Sequence, residues 1–437
     1  MRKNYSHIRR IWKRNHTKNT YLLYLEARNQ YFQEIKLAKQ NHWNDFLENT
    51  DSEQIFKAYK YCKQSKIEKT PILQYNNSKL TTFSEKSKAF LASLFPNSAN
   101  TAVNSDNFAN NHTIYNNDSD NSWSELTTEE LEKIILSCSS KKASGPDRIG
   151  FLIIQKAYST IPELFHQLYY KLIKFGFHPD CWKDSIGVII KKSNKDNYSD
   201  PKSYRIISLL NCLGKIAEKI IAQRLLFLAE TTNLLYFDQI GGRKQKSAID
   251  AAISLVSDIE INKHRKKSTS TLFLDVKGAF DHVNKSQLLK TCCNLKLSNA
   301  CISWIHSFLS NRRIKLTFDG ETMNSSAYIT GIPQGSPVSP ILFLIYISQL
   351  FKNNSKLAVR LISYIDDIAI VVSSKTIHEN CYMLQNAAKT LIDWGKSHNI
   401  LFNIKKTELI HFDSSNKSLN KSVKIINNRI YSQTVVK

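Results

Sequence analysis

The chain has 437 residues, 42% of them hydrophobic, with 61 Lys and Arg against 37 Asp and Glu and a formal net charge of +24. This length can bury cores in two or three subdomains, and the charge favours a polyanionic partner whose binding weakens with salt. The 8 cysteines show no C-x-x-C pair and no His spacing behind one, so neither a zinc knuckle nor a disulfide framework is indicated. No apolar run reaches membrane length and no signal peptide precedes the basic start, so a nuclear or cytoplasmic setting is the expectation.

Positive charge is densest at the N-terminus. There Arg2, Lys3, Arg9, Arg10, Lys13, Arg14 and Lys18 precede the first acid, Glu26, interleaved with Tyr5, His7 and Trp12. The pattern suits a basic arm for RNA or DNA, and equally a solvated helix end or a nuclear-targeting patch. Aromatic and aliphatic residues at helical spacing predict a long helix from Tyr21 to Leu47 and a shorter stretch to about Lys66. From Pro96 to Ser124 the composition shifts to Asn, Ser and Asp, too poor in apolar area to order itself, and reads as a linker. Thr127 with Glu130 has capping-box spacing and opens a helix through Leu136. Further helices are predicted at Ile161–Phe175, Leu213–Ala229, Ser247–Ile261, Ser298–Asn311 and Thr376–Ser397, with strands at Ile186–Ile190, Leu272–Val276 and on both sides of Asp366. Segregated strands with packed helices make an α+β protein.

The chemistry concentrates towards the C-terminal half. In LISYIDDIAIVV (Leu361–Val372) the adjacent acids Asp366 and Asp367 interrupt an apolar, β-branched run that suits a strand pair folded back at the aspartates. Two negative charges there cost several kcal/mol unless cations compensate them. Asp275 ends a second strand, and if the strands are neighbours the three carboxylates can hold two Mg²⁺ ions about 3.5–4 Å apart for in-line phosphoryl transfer. Between them lies GIPQGSPVSPILF (Gly331–Phe343), a stiff loop leading into a helix that starts near Ser339 or Pro340. Taken singly, the acid pair also fits a solvated turn and the loop a mere connection.

Seven segments in this order resemble the reverse transcriptases of non-LTR (LINE-like) retrotransposons, from about Lys141 to Phe412. They are KKASGPDRIGFLIIQK (Lys141–Lys156), SYRIISLLNCLGKIAEKIIAQRL (Ser203–Leu225), QIGGRKQKSAIDAA (Gln239–Ala252), FLDVKGAFDHV (Phe273–Val283), GIPQGSPVSPILF, YIDD and FNIKKTELIHF (Phe402–Phe412). The resemblance implies a right-hand polymerase. It would have a basic helical N-terminal extension at 1–70, the linker at 96–124, fingers and the start of the palm at 125–270, and the palm with its catalytic motifs at 271–412. A truncated C-terminal segment, 413–437, would follow, with no thumb and no primer-grip hairpin.

The same resemblance makes Asp275, Asp366 and Asp367 the metal-binding carboxylates, with the Val276 carbonyl as an added oxygen ligand. It places Phe280 at the steric gate that leaves no room for a 2′-hydroxyl; a core aromatic after a strand is the plainer alternative. Arg205 and Lys192 would meet the triphosphate, although Lys192 also reads as a solvated surface charge. Gln334 and the backbone at Gly335 would touch nucleotide and template base. Gly241, Gly242 and Arg243 would contact the template, and Lys406 would give a proton to the leaving pyrophosphate or be an exposed strand-end charge. The chain departs from the family pattern at Ile206 (usually Pro), at Lys191–Lys195 (PKPGK is common) and at Ile365 (usually Ala).

The implied activity is RNA-directed DNA polymerisation with two Mg²⁺, or Mn²⁺. Its partners would be an RNA template, a DNA primer or target DNA, and deoxynucleotides, with no membrane involved. The expected lack of a thumb and of an endonuclease leaves open an alternative, a catalytically inactive, truncated or domesticated nucleic-acid-binding remnant. An intron-encoded maturase shares the fold, as does a viral RNA-dependent RNA polymerase, which Phe280 disfavours.

Overall fold

The computed structural model describes residues 2–48, 69–95, 123–193, 195–324, 326–328, 330–353, 359–412 and 421–433. The linker expected at 96–124 lies outside the described residues up to 122, as does the helical stretch expected from 49 to Lys66. The chain divides into two units, Met1–Glu68 and Lys69–Lys437.

In the smaller unit, α1 (Arg2–Arg14) and α2 (Lys18–Glu48) form a helical hairpin. Tyr5, Ile8 and Trp12 share one face of α1 and are half-buried. Tyr5 stacks on Tyr31 at 5.0 Å between ring centroids and Trp12 on Tyr24 at 4.7 Å. Arg2, Lys3, Arg10, Lys13 and Arg14 are exposed on the opposite face, as a period of 3.6 requires. The expected basic arm is thus a helix with an aromatic seam.

In the larger unit, β1 (Leu73–Tyr75), β2 (Ser78–Leu80) and α3 (Phe83–Leu94) come first, followed by α4 (Thr128–Leu136), α5 (Phe151–Tyr158), α6 (Pro162–Lys174), β3 (Asp184–Lys191), β4 (Tyr204–Leu209), α7 (Cys212–Thr231) and α8 (Ala248–His264). Next are β5 (Ser268–Asp275), α9 (Lys285–Asn294), α10 (Asn299–Leu309), β6 (Arg313–Phe318), β7 (Glu321–Thr322), β8 (Ala327–Tyr328) and α11 (Ser339–Asn353). The last are β9 (Arg360–Tyr364), β10 (Asp367–Ser374), α12 (Ile377–Ser397), β11 (Glu408–Phe412), β12 (Ser422–Ile425) and β13 (Asn428–Tyr431). No described helix is long and apolar enough to cross a membrane.

Two sheets organise this unit. One has the strand order β4-β3-β6-β7 with β8 also on β6, and the other β11-β5-β10-β9. Alternation along β5 and β10 sends Leu272, Leu274, Ile368, Ile370 and Val372 into the main core with the helices. It sends Phe273, Ala369 and Val371 to the other face, against Ala251 and Leu255 of α8. Helices therefore cover parts of both faces. Asp275 and Asp367 share the parity of Phe273 and Ala369, so they fall on the α8 face, at the tip of the sheet.

One local expectation changes in part. Thr127 does cap α4, accepting from the Glu130 amide at 3.2 Å. The reciprocal half of the box is missing because the Glu130 carboxylate is drawn to Arg224 at 2.7 Å. The C-terminal segment, for which no thumb and no primer-grip hairpin were expected, contains the antiparallel pair β12–β13, anchored by Val423 and Ile425 in the main core.

Candidate active site

β5 and β10 run antiparallel with Asp275 opposite Asp367, and Tyr364 of β9 pairs with Asp367 from the other side. Only Ile365 and Asp366 remain to turn the chain from β9 into β10. Ile365 takes φ 58°, where tight hairpins favour Gly and a left-handed residue costs about 1–2 kcal/mol. Neighbouring backbone holds the turn there. Gly241 lies so close that a Cβ on it would sit 2.4 Å from the Ile365 nitrogen. Ile240 N donates to Ser363 O at 2.8 Å and Ser363 N to Asp238 O at 2.9 Å, so the segment around Gln239 runs parallel along the edge of β9. Asp238 accepts two bonds from Arg360, at 2.9 and 2.8 Å.

This places the expected template residues. Gly241 and Gly242 lie beside the aspartate turn. The Arg243 side chain is 6% exposed and grips both oxygens of Glu230 at 2.6 Å; it also donates to the carbonyls of Tyr236 and Gln239. Arg243 is therefore a brace for its own loop, its charge paired with Glu230.

The end of β5 is tied to the segment carrying Lys406. Asn403 N donates to Asp275 O at 2.8 Å and Lys277 N to Leu401 O at 2.7 Å, and buried Val276 bridges Phe402. Lys406 Nζ consequently reaches Asp275 Oδ1 at 2.7 Å. Burial raises the carboxyl of Asp366, with the charge of Asp275 adding and that of Lys406 opposing. Asp367 is raised by burial and then by Asp366 and Asp275. Among the described residues no three His, Cys, Asp or Glu side chains converge closely enough to hold an ion. Asp275 and Asp367 stand opposite one another in backbone register with Asp366 in the adjoining turn, while one Asp275 oxygen is turned to Lys406. The donor set still fits a hard divalent cation: it is all oxygen, carries excess negative charge and is only half-buried.

Phe280 follows β5 and is half-buried, with its ring 5.5 Å from that of Phe343 and its carbonyl accepting from Ile332 N at 2.9 Å. Gln334 O accepts from Ser208 N at 2.8 Å, fastening the GIPQGSP loop to β4, the strand that carries exposed Arg205. Lys192 donates to Lys202 O at 3.0 Å. Its ammonium is held below the ordinary lysine range by burial and by Lys195, with Lys406 and Arg205 adding and Asp281 opposing. Lys192, Arg205 and Lys406 thus share one electrostatic neighbourhood. Burial pushes the Asp281 carboxyl in it up to about 7, with Lys192 opposing.

Sequence reasoning missed Asp281, which only its position after Phe280 could have signalled. It also missed Glu218, a charge on the apolar stripe of Ile216, Ala217, Ile220 and Ile221.

Carboxylates at a sheet tip, with Lys406 on one of them and a glycine-bearing loop beside the turn, make a class of site suited to phosphoryl-transfer chemistry on anionic substrates. Residues 189–429, more than half of the chain, match the family described as "Reverse transcriptase (RNA-dependent DNA polymerase)", and the chain belongs to that family. It is 27% identical over 294 residues to the RNA-directed DNA polymerase from mobile element jockey of Drosophila melanogaster, covering 66% of this chain and 32% of that protein. It is 28% identical over 277 residues to the retrovirus-related Pol polyprotein from type-1 retrotransposable element R1 of Bradysia coprophila, covering 62% and 26%. The chain thus spans about a third or less of these relatives. Their names bear out the resemblance to non-LTR elements. Among solved structures, apo telomerase from Candida tropicalis, truncated from its C-terminal domain, aligns with a TM-score of 0.40 at 13% identity, covering 67% of this chain and 61% of that one.

Proposed function

We propose that this chain is an RNA-directed DNA polymerase, adding deoxynucleotides to a primer 3′-hydroxyl on an RNA template. The observation that supports this most is the pairing of Asp275 with Asp367 across β5 and β10, with Asp366 in the adjoining turn. Asp275 and Asp366 would hold two Mg²⁺ ions, Asp367 would support them, and the Val276 carbonyl would add an oxygen. When bound, such ions supply the charge that makes the primer hydroxyl a better nucleophile and neutralises the leaving pyrophosphate. Arg205 would fork onto phosphate oxygens, and Lys192 would add a compact charge beside it. Lys406 would exchange Asp275 for the pyrophosphate oxygens and could give a proton there. Phe280 would exclude a 2′-hydroxyl, while Gln334 and Gly335 would position the nucleotide. The test is a matrix of RNA and DNA templates against deoxynucleotides and ribonucleotides with Mg²⁺; no incorporation of deoxynucleotides on an RNA template would sink this reading.

The exposed basic face of α1 would grip the phosphate backbone. Replacing Arg10, Lys13 and Arg14 with Gln is expected to flatten the plot of log binding constant for single-stranded RNA against log salt concentration. The slope should change by about 2, at about 0.7 per phosphate contact. An unchanged slope would return α1 to the status of a solvated surface.

A further inference from the structure

Glu218 lies on α7 and is fully buried, with 0% of its surface exposed. A buried carboxylate is costly unless charge and hydrogen bonds compensate it. Its partner comes from the loop in question: Ser336 Oγ donates to Glu218 Oε2 at 2.5 Å and accepts from Val338 N at 3.2 Å. The loop is further knotted by Ser339 Oγ, which donates to Pro333 O at 2.8 Å. On its other side Gln334 O takes the Ser208 amide at 2.8 Å. Gly335, at φ 119°, lies so close to β4 that a Cβ would stand 2.7 Å from Ser208 O. Gln334 and Gly335 are therefore clamped between β4 in front and α7 behind.

The opposite charge is Arg312, 1% exposed, lying 4.5 Å over the Phe308 ring and donating from Nη1 to Phe308 O at 3.0 Å. Among the described residues Glu218 Oε1 and the Nε and Nη2 of Arg312 have no hydrogen-bond partner. Burial raises Glu218 and Arg312 pulls it back, while burial lowers the Arg312 guanidinium to about 10 and Glu218 opposes. The two charges thus feel each other without forming an ion pair. A charge kept in the core for stability alone would be better replaced by a hydrophobe, so its bond to the loop is the feature that needs explaining.

We infer that Glu218 is a positioning residue: through Ser336, and with Arg312 as countercharge, it sets where Gln334 and Gly335 stand for the incoming nucleotide. This rests on the reading of that loop as a nucleotide contact. The test uses the full chain with Glu218→Gln, which removes the charge and keeps an acceptor, and Ser336→Ala, which removes the donor and keeps the charge. Hydrogen exchange at the Ser208 amide, which donates to Gln334 O and touches neither substituted side chain, is expected to rise about tenfold in Ser336→Ala, the loss of one hydrogen bond to a charged group, and by less in Glu218→Gln, whose neutral amide can still accept from Ser336. The β5–β10 amides should not change. KM for the deoxynucleotide should rise by a similar factor with kcat nearly constant, and the double variant should be no worse than the worse single one. If Glu218→Gln fails to fold, adding Arg312→Met removes the stranded buried charge, and the same exchange is read. Unchanged Ser208 exchange in folded variants overturns the inference. A wild-type chain that extends no primer overturns the polymerase reading instead, and leaves the exchange result to decide the anchoring.

Discussion

Asp275→Asn is expected to slow single-nucleotide incorporation by about 10³-fold or more, because a lost carboxylate ligand removes several kcal/mol of charge stabilisation and each 1.36 kcal/mol is tenfold in rate. Template affinity should stay within a few-fold, since it rests on other charges. The fold should also survive. The Lys406–Asp275 contact is a partly exposed pair, with side chains 53% and 27% accessible, and such pairs are worth about 1 kcal/mol or less. The β5–β10 pairing is carried by backbone and by Leu272, Leu274 and Ile370, not by the carboxylate. Asp367→Asn should cost less than Asp275→Asn if Asp367 only supports the cluster. The measurement is quenched-flow incorporation beside equilibrium template binding, and full retention of rate by Asp275→Asn would remove it from the site.

Phe280→Ala has the second large expected effect, on selectivity rather than rate. Phe280 is fixed from behind: its ring rests on Phe343 and its carbonyl is held by Ile332 N. Truncation to Ala opens the space its ring fills. Discrimination between a deoxynucleotide and its ribonucleotide should fall by about 10–200-fold, the range for a shape difference of one small group. It would be read as the ratio of kcat/KM for the two. An unchanged ratio would place the gate on another residue and leave Phe280 as a core aromatic.

Much of this was legible in the sequence because the relevant signals are local. Adjacent acids in an apolar, β-branched run gave the β9–β10 hairpin, and helical periodicity gave α7, α8 and α12 to within a few residues. What needed the structure was long-range pairing. Spacing cannot show that β5 lies beside β10 with Asp275 opposite Asp367, because 90-odd intervening residues fold away from both. Arg243 and Lys406 illustrate a second limit. Each is a basic residue in a basic chain, and only Glu230 and Asp275, distant or on another element, decide what the charge does. The β12–β13 hairpin was missed because its strands are four residues each. Its alternation, Val423 and Ile425 inward with Lys424 outward, is too short to stand above its polar flanks.

The central claim is that Asp366 and Asp367 serve catalysis, and extension of a DNA primer on an RNA template tests it most directly. The full chain would be compared with the double variant Asp366→Asn, Asp367→Asn, with Mg²⁺ and deoxynucleotides present and template binding measured in parallel. The account predicts extension by the wild-type chain, none by the variant, and equal template binding by both. Equal extension by both chains, or none by either with template still bound in a salt-dependent manner, would contradict it.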